Sequence, residues 1–345
     1  MTPSQPAEQT SPQPAQAAPR IAIVGAGVSG LVAAGRLQAG AGKVSIFDKG
    51  RGVGGRISTR RTEQGSQFDH GAQYFTVRDA RFRRVVKDMQ ADGVVAPWGG
   101  RIAKLERGTI TPSSENHERF VGVPTMSAVG KWLARDLPIQ LGTRIAVADR
   151  LAAAWRLTDT GGQPCGDFDW LLVAMPAPQA AELLGESAPA IADACRQVKM
   201  DGCWAAMIDF PEPLPLEFDG AFVHDSPLAW VARNSSKPGR PSQRESWVLH
   251  AGPEWSEAHL AEPAESVADA MLAEFYRVAE VATQQPSHLA AHRWRFAQAG
   301  KPLDEGCLLD AELRVAVCGD WCAGSRVEGA VLSGLAAAER CMAAR

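Results

Sequence analysis

The sequence predicts an α/β protein in which a largely parallel, doubly wound sheet domain is joined to a second, α+β domain built on a mixed or antiparallel sheet. Three observations carry this reading. The chain has 345 residues, and single cores rarely grow beyond about 250 residues, so two domains are expected. Residues 20–50, RIAIVGAGVSGLVAAGRLQAGAGKVSIFDKG, set two short apolar runs on either side of an Ala- and Leu-rich segment, the strand–helix–strand order of a parallel sheet. Further on, the runs CWAAMIDF, GAFVHDS, LAWVARN and SWVLHAG read as strands of another sheet.

Composition narrows the function classes. The chain is 45% hydrophobic and 22% charged, ordinary for a soluble globular enzyme. Its net charge is −3 and no stretch is densely basic, which argues against nucleic acid or an anionic membrane as partner. The seven cysteines are scattered; the nearest pair, Cys318 and Cys322, is spaced C-x-x-x-C. That is neither a zinc ribbon nor a disulfide framework, so no metal is expected and the thiols read as reduced. Residues 1–19 hold no Leu, Ile, Val or Phe and recurring proline, the composition of a disordered tail, without the cationic start and apolar run of a secretory signal. No stretch is apolar for long enough to span a bilayer, so a cytoplasmic protein is expected.

In chain order, residues 21–24 form an apolar run suited to a strand buried on both faces. Gly25, Ala26, Gly27, Val28, Ser29 and Gly30 follow at once as GxGxxG, and residues 31–39 read as a helix ending near Gly40. Gly25 allows the tight turn, Gly27 lets the backbone approach a pyrophosphate, and Gly30 lets the helix pack close to the strand. The helix start turns N–H groups and the positive end of the dipole toward phosphate. Residues 44–47 are a second strand, closed by Asp48, which is placed to accept from a ribose hydroxyl. This Rossmann-like unit fits NAD and FAD equally.

The following stretch, DKGRGVGGRISTRR, places Gly54, Gly55 and Arg56 just after the second strand and resembles the glycine-glycine-arginine signature of the flavin amine oxidase superfamily. There the arginine faces the FAD phosphates, a task suited to a bidentate guanidinium. FDHGAQYFTVRD (68–79), RNSSKPGR (233–240), WVLHAGPEW (247–255) and HRWRFAQ (292–298) together resemble the bacterial renalase-like branch of that superfamily. The resemblance runs from about Arg20 to the C-terminus. It implies a FAD-binding domain of the flavin amine oxidase/glutathione reductase type from residues 20–80, 139–186 and 300–345, and a substrate domain from 81–138 and 187–299. The activity it implies is oxidation of isomeric (2- or 6-) dihydro-NAD(P) to NAD(P)+, with electrons passed to oxygen as hydrogen peroxide. The partners are then a dinucleotide and oxygen. Flavin-dependent amine oxidation and a non-catalytic flavin-binding regulatory protein are the alternatives.

The same resemblance assigns residues. Lys49 is a further cofactor-binding residue, Arg51 falls on the adenosine side, Gly71 and Ala72 in the flavin-contacting turn, and Ile145 near the adenine. Gly319 and Asp320 end the last apolar run, residues 313–318, and deliver an acid to the ribityl and pyrophosphate region. Val327, Glu328 and Ala330 begin a final helix whose N–H groups face the flavin pyrimidine ring, where a helix start favours negative charge. Cys322 is expected to be a small core or loop residue and FAD to be held non-covalently. Arg60 and Arg61 have a second reading as solvated loop charges. In the middle of the chain, residues 137–184 read as strands with turns, and 169–176 as a buried strand ending in proline. Residues 264–280 have helical spacing, with Val267, Met271, Phe275 and Val278 on one core-facing stripe.

Hydride transfer to flavin asks for stacking and exclusion of water more than for an acid–base pair. The substrate-site candidates are therefore shape and anchoring residues: Gln73, Tyr74, Asn234, His250 and Trp294. Only two tyrosines exist, Tyr74 and Tyr276, few for an aromatic amine cage. Lys237 and Arg240, in a Pro/Gly loop, could meet substrate phosphates but are expected to be solvated.

Overall fold

The protein is described by a computed structural model over residues 17–114, 117–241 and 243–344. The expected disordered tail lies outside the described residues except for residues 17–19.

The first apolar run is strand β1 (Arg20–Val24), followed by helix α1 (Val28–Ala39) and strand β2 (Lys43–Asp48). β1 pairs in parallel with β2 on one side and with Trp170–Val173 on the other. This central position explains why Ile21, Ala22 and Ile23 are all buried and why the run has no polar alternation. Ile139–Leu141 extends the sheet beyond β2, and Val315–Val317 then Leu308–Asp310 extend it on the opposite edge. Every pairing in this six-stranded sheet is parallel except the last, at Leu308–Asp310.

α1 and the final helix, Val327–Ala343, cover one face together. Small residues set their approach: a Cβ added at Gly334 would lie 2.4 Å from the Ser29 carbonyl oxygen. A meander of Ile145–Leu151, Ala154–Asp159 and Pro164–Phe168 packs on the opposite side, where Trp155, Leu157 and Phe168 join Ala22, Val24 and Leu171 in one core.

The second sheet has seven strands, in the order His288–Ala299, Met200–Phe210, Glu245–Ala251, Leu228–Arg233, Gly220–His224, Ile102–Glu106, Thr109–Pro112. It is antiparallel except between Gly220–His224 and Ile102–Glu106, and so is mixed. Helix Ala264–Ala279 buries Val267, Met271, Phe275 and Val278 against one face, the stripe that its sequence spacing predicts. Tyr276 is buried in the same core, and its hydroxyl donates to the Gln284 carbonyl. On the other face, cross-strand register puts Trp230 beside His250, His250 beside Ala205, and Ala205 beside His292. Trp230, His250 and His292 of that row line a cleft between the two sheets.

Candidate functional site

The cleft encloses about 1850 Å³. Single small-ligand pockets run to roughly 1,000 Å³, so there is room for a dinucleotide cofactor and a second ligand. One wall comes from the glycine-rich turn. Gly25 has φ +113° and a Cβ there would sit 2.3 Å from the Ala174 carbonyl oxygen, while a Cβ at Gly30 would sit 2.1 Å from the Gly25 carbonyl oxygen. Both glycines are demanded by packing within the fold. Gly27 differs: a Cβ there meets nothing within 4 Å, because it would project into the open cradle.

α1 begins with Gly27 at its N-cap and no side chain capping it, so the first-turn N–H groups are not taken up by a cap. The final helix likewise starts without a side-chain cap, and Val327 and Ala330 line the same cleft. Two uncapped helix starts thus open on one cavity, an arrangement suited to negative charge.

The side-chain charges agree. Among the described residues the cleft lining includes ten Lys or Arg (Lys49, Arg51, Arg56, Arg60, Arg61, Lys131, Arg144, Arg293, Arg295, Arg326) and three acids, Asp48, Glu182 and Asp320. Two of those acids are already engaged. Asp48 accepts from the backbone N–H of Ala26 at 2.6 Å and of Gly50 at 2.6 Å, clamping the turn around the motif. Asp320 forms a two-point ion pair with Arg56, at 2.6 and 3.1 Å, and Arg56 also donates to the Ala297 carbonyl at 2.7 Å. The arginine expected to face phosphate and the acid expected to face ribityl hydroxyls therefore hold each other across the cleft.

Most of the sequence-predicted residues meet at this cavity. Gly25, Gly27, Val28, Ser29, Asp48, Lys49, Arg51, Gly55, Arg56, Gly71, Ala72, Ile145, Gly319, Asp320, Val327 and Ala330 line it, as do Gln73, Tyr74, His250 and Trp294. Ala26, Gly30, Glu328 and Asn234 are not part of the lining. Ala26 is fully buried, and its carbonyl accepts from the Gly54 N–H. Glu328 accepts from the backbone N–H of Arg78 and Asp79, tying the final helix to the start of helix Ala80–Ala91. Asn234 stands behind the wall, donating to the Gln67 carbonyl at 2.8 Å. Cys322 is fully buried in the core beneath the parallel sheet, away from the cleft lining, and burial pushes its thiol pKa well up.

The opposite wall is pinned by one carbonyl. The His70 oxygen accepts from Trp294 Nε1 at 2.9 Å and from His250 Nε2 at 3.1 Å, so the turn after Gln67–Phe68 is fastened to two strands of the seven-stranded sheet. This bond assigns the proton of His250 to Nε2. His70 stacks on Trp294 with ring centroids 5.0 Å apart, and His292 meets Trp294 edge-on at 4.4 Å. Burial leads the causes that lower all three imidazole pKa values: His70 to about 3, His250 to about 4 and His292 to about 4. The wall is neutral at physiological pH. Tyr74, Trp230 and Phe222 add an aromatic side, with Tyr74–Trp230 centroids at 5.3 Å.

The expectation that Lys237 and Arg240 are solvated is wrong. Both are buried, within hydrogen-bond or ion-pair reach of the fully buried Asp69. The Pro/Gly loop carrying them folds inward over the turn instead of outward, because Arg240 donates to the Gly122 and Pro238 carbonyls and to Asp69. The one signal for this in the sequence is Asp69 itself, an acid in a turn whose neighbours are buried.

Residues 113–342, about two thirds of the chain, match the family described as flavin containing amine oxidoreductase, and residues 23–89 match the NAD(P)-binding Rossmann-like domain. The chain belongs to the flavin containing amine oxidoreductase family. As a member it is a flavoprotein oxidoreductase by kind, and the uncapped helix starts, the Gly27 cradle and the basic lining all fit a flavin nucleotide. Over 192 residues it is 27% identical to renalase of Mus musculus, covering 52% of this chain and 53% of that one. Prenylcysteine oxidase 1 of Bos taurus is 35% identical over 92 residues, 26% of this chain and 18% of that one. The chain thus spans about half, or less, of these relatives' lengths. A solved structure from Exiguobacterium sp. 255-15, provisionally named a protoporphyrinogen oxidase, superposes with TM-score 0.78 at 13% identity, covering 95% of this chain and 99% of that one. Putrescine oxidase bound to putrescine superposes with TM-score 0.66 at 13% identity, over 94% and 99%. At this identity the superpositions establish a shared fold.

Proposed function

We propose that the protein is an FAD-dependent oxidase of isomeric (2- or 6-) dihydro-NAD(P). It returns NAD(P)+ and passes two electrons, with a proton from the substrate and one from solvent, to oxygen, giving hydrogen peroxide. The observation that carries this reading is the charge of the cleft: ten cations against three acids in a chain of net charge −3. FAD and a dinucleotide substrate are both polyanions, and a basic cleft concentrates both. An alkylammonium substrate would meet the opposite field and, among the described residues lining the cleft, find no unpaired carboxylate beside the His250–Trp294 wall.

When bound, the flavin would supply the two-electron relay. The chain's own residues bind, orient and exclude water. The helix start at Gly27 and the cations Lys49 and Arg51 would hold phosphates and adenosine, with Ile145 beside them. Trp294, fixed by its bond to His70, and the neutral His250 would present a flat, uncharged wall on which a nicotinamide ring can lie. Orientation alone can then select the isomer, because a shift of about 1 Å can cost on the order of a hundredfold in rate. The proposal includes the division into a FAD domain (20–80, 139–186, 300–345) and a substrate domain (81–138, 187–299), with the protein working in the cytoplasm. No helix among the described residues is long and apolar enough to cross a membrane.

One observation favours amine oxidation as a second reading: Tyr74, Trp230 and Phe222 form an aromatic side to the cleft despite the shortage of tyrosine. Anaerobic mixing of the FAD-loaded protein with 2- and 6-dihydro-NAD(P), with ordinary NAD(P)H and with an amine panel separates the two. Rapid bleaching by the isomers alone is expected. Bleaching by an amine, with no response to the isomers, would overturn the proposal.

A further inference from the structure

Behind the cleft wall, Lys237 is completely enclosed and its ammonium donates to the Gln73 side-chain oxygen at 2.7 Å and to the Asn234 side-chain oxygen at 3.1 Å. An ammonium can only donate, so it fixes which end of each carboxamide faces it. Asn234 is fixed a second time, since its NH2 donates to the Gln67 carbonyl. Gln73 is not. Its oxygen is taken by Lys237, and the residue, though 4% exposed, lines the cleft. The polar atom near the Gln73 NH2 is His250 Nε2, at 3.4 Å, which itself donates to His70. With the His250 proton on Nε2 and given to the His70 carbonyl, these two groups are both donors, and the Gln73 NH2 then has no acceptor among the described residues.

We propose that Lys237 is a positioning residue that locks Gln73 as an obligate hydrogen-bond donor, aimed at a carbonyl oxygen or ring nitrogen of the ring system lodged at that end of the cleft. The acceptor is carried either by the flavin or by the nicotinamide carboxamide; both offer the same chemistry to an amide NH2. This rests on the cleft being the flavin site, and not on which substrate is oxidised. Buried charge would not be tolerated for packing alone, since a buried ion usually costs more than an apolar residue of its size. The cluster also predicts that the lock can be removed without unfolding the chain. Burial, opposed by Asp69, lowers the Lys237 pKa to about 7; with Lys237 protonated the cluster of Asp69, Lys237 and Arg240 carries one excess positive charge, and Lys237→Met leaves the neutral Asp69–Arg240 pair.

The test is a double-mutant cycle of Gln73→Leu and Lys237→Met, read by FAD affinity, by the visible spectrum of the FAD-loaded protein and by NAD+ affinity. Each single variant is expected to weaken one of these affinities roughly tenfold, the scale of one buried hydrogen bond. The double variant should be no weaker than Gln73→Leu alone, because Lys237 acts through Gln73. A change in FAD affinity and spectrum places the acceptor on the flavin; a change in NAD+ affinity alone places it on the nicotinamide. Strictly additive losses, or affinities all within twofold of the parent, would overturn the proposal. Thermal unfolding without ligand judges the lock by itself: Gln73→Glu should be tolerated beside Lys237 and should lower the melting temperature in the Lys237→Met background. Equal effects in both backgrounds would also overturn it, whereas a parent chain that rejects FAD would sink the flavin reading and leave this coupling standing or falling on the melting data.

Discussion

Asp320 and Arg56 are the residues whose roles the cleft most directly couples. Asp320 is largely buried while Arg56 is about one third exposed, and their two-point bond spans the segments at either end of the chain. Asp320→Ala removes the partner of Arg56 and, in the proposed flavin site, the acid expected to face the ribityl hydroxyls. A charge-assisted bond contributes about 1–3 kcal/mol, so FAD affinity should fall roughly ten- to a hundredfold with the chain still folded. Equilibrium dialysis of FAD against the variant checks this, and an unchanged affinity would leave Asp320 a purely structural role. The histidines give a second test at this scale. His70, His250 and His292 are held below the ordinary value of 6.5, so between 6.5 and about 4 the unfolded chain binds more protons than the native one. Their contribution to stability is therefore complete above pH 6.5 and is lost as pH falls toward 4 for His250 and His292 and toward 3 for His70. Melting temperature should drop across that window, and the drop should shrink in His250→Gln; a flat profile would show that these imidazoles are not buried as described.

Among the elements, the strand–turn–helix at the N-terminus separates glycines that serve the fold from the one that serves the ligand. Gly30→Ala forces a Cβ to 2.1 Å from backbone and should destabilise by about 1–3 kcal/mol, whereas Gly27→Ala meets no atom and should melt like the parent yet lose FAD. Calorimetry and flavin content of the two variants check the contrast, and equal loss of stability in both would contradict it. This element was also the most legible one in the sequence, because apolar runs and fixed glycine spacing are local signals. α1 nevertheless begins at Val28, three residues before the periodic run at Leu31, since Ser29 and Gly30 are small rather than apolar and give the pattern nothing to repeat. The stripe on Ala264–Ala279 was legible for the same local reason. Lys237 and Arg240 were not, because their burial depends on Asp69, more than 160 residues earlier in the chain. Long-range charge pairing leaves no period to find. Trp230 and His292 became cleft residues only through strand register.

For the whole molecule, Asp69 is the point where separate parts of the chain converge. Its carboxylate accepts from Thr59 Oγ1 at 2.7 Å, beyond the glycine-arginine signature; from the Met126 N–H at 3.0 Å, where helix Ser127–Leu133 begins; and from Arg240, on the loop leaving the seven-stranded sheet. Burial alone would raise its pKa, but Lys237 and Arg240, with the Arg240 and Thr59 bonds, outweigh that and hold it below the ordinary carboxylate range. Asp69→Asn keeps the shape and deletes the charge, leaving the Arg240 cation, and Lys237 whenever it is protonated, enclosed without a counter-ion. Breaking a buried pair in this way costs about 3–5 kcal/mol, which for a chain of this size lowers the melting temperature by on the order of 10 °C. Adding Lys237→Met removes one of the stranded cations and should recover part of the loss, although it deletes a further hydrogen-bonding group. Calorimetry on the parent, the single and the double variant checks the order. If Asp69→Asn melted like the parent, or if Lys237→Met worsened it, the two sheets would not be joined through this charge, and the cleft wall would have to be held by the His70 carbonyl, the Asn234–Gln67 bond, the Ser66–Asp209 contact and apolar packing.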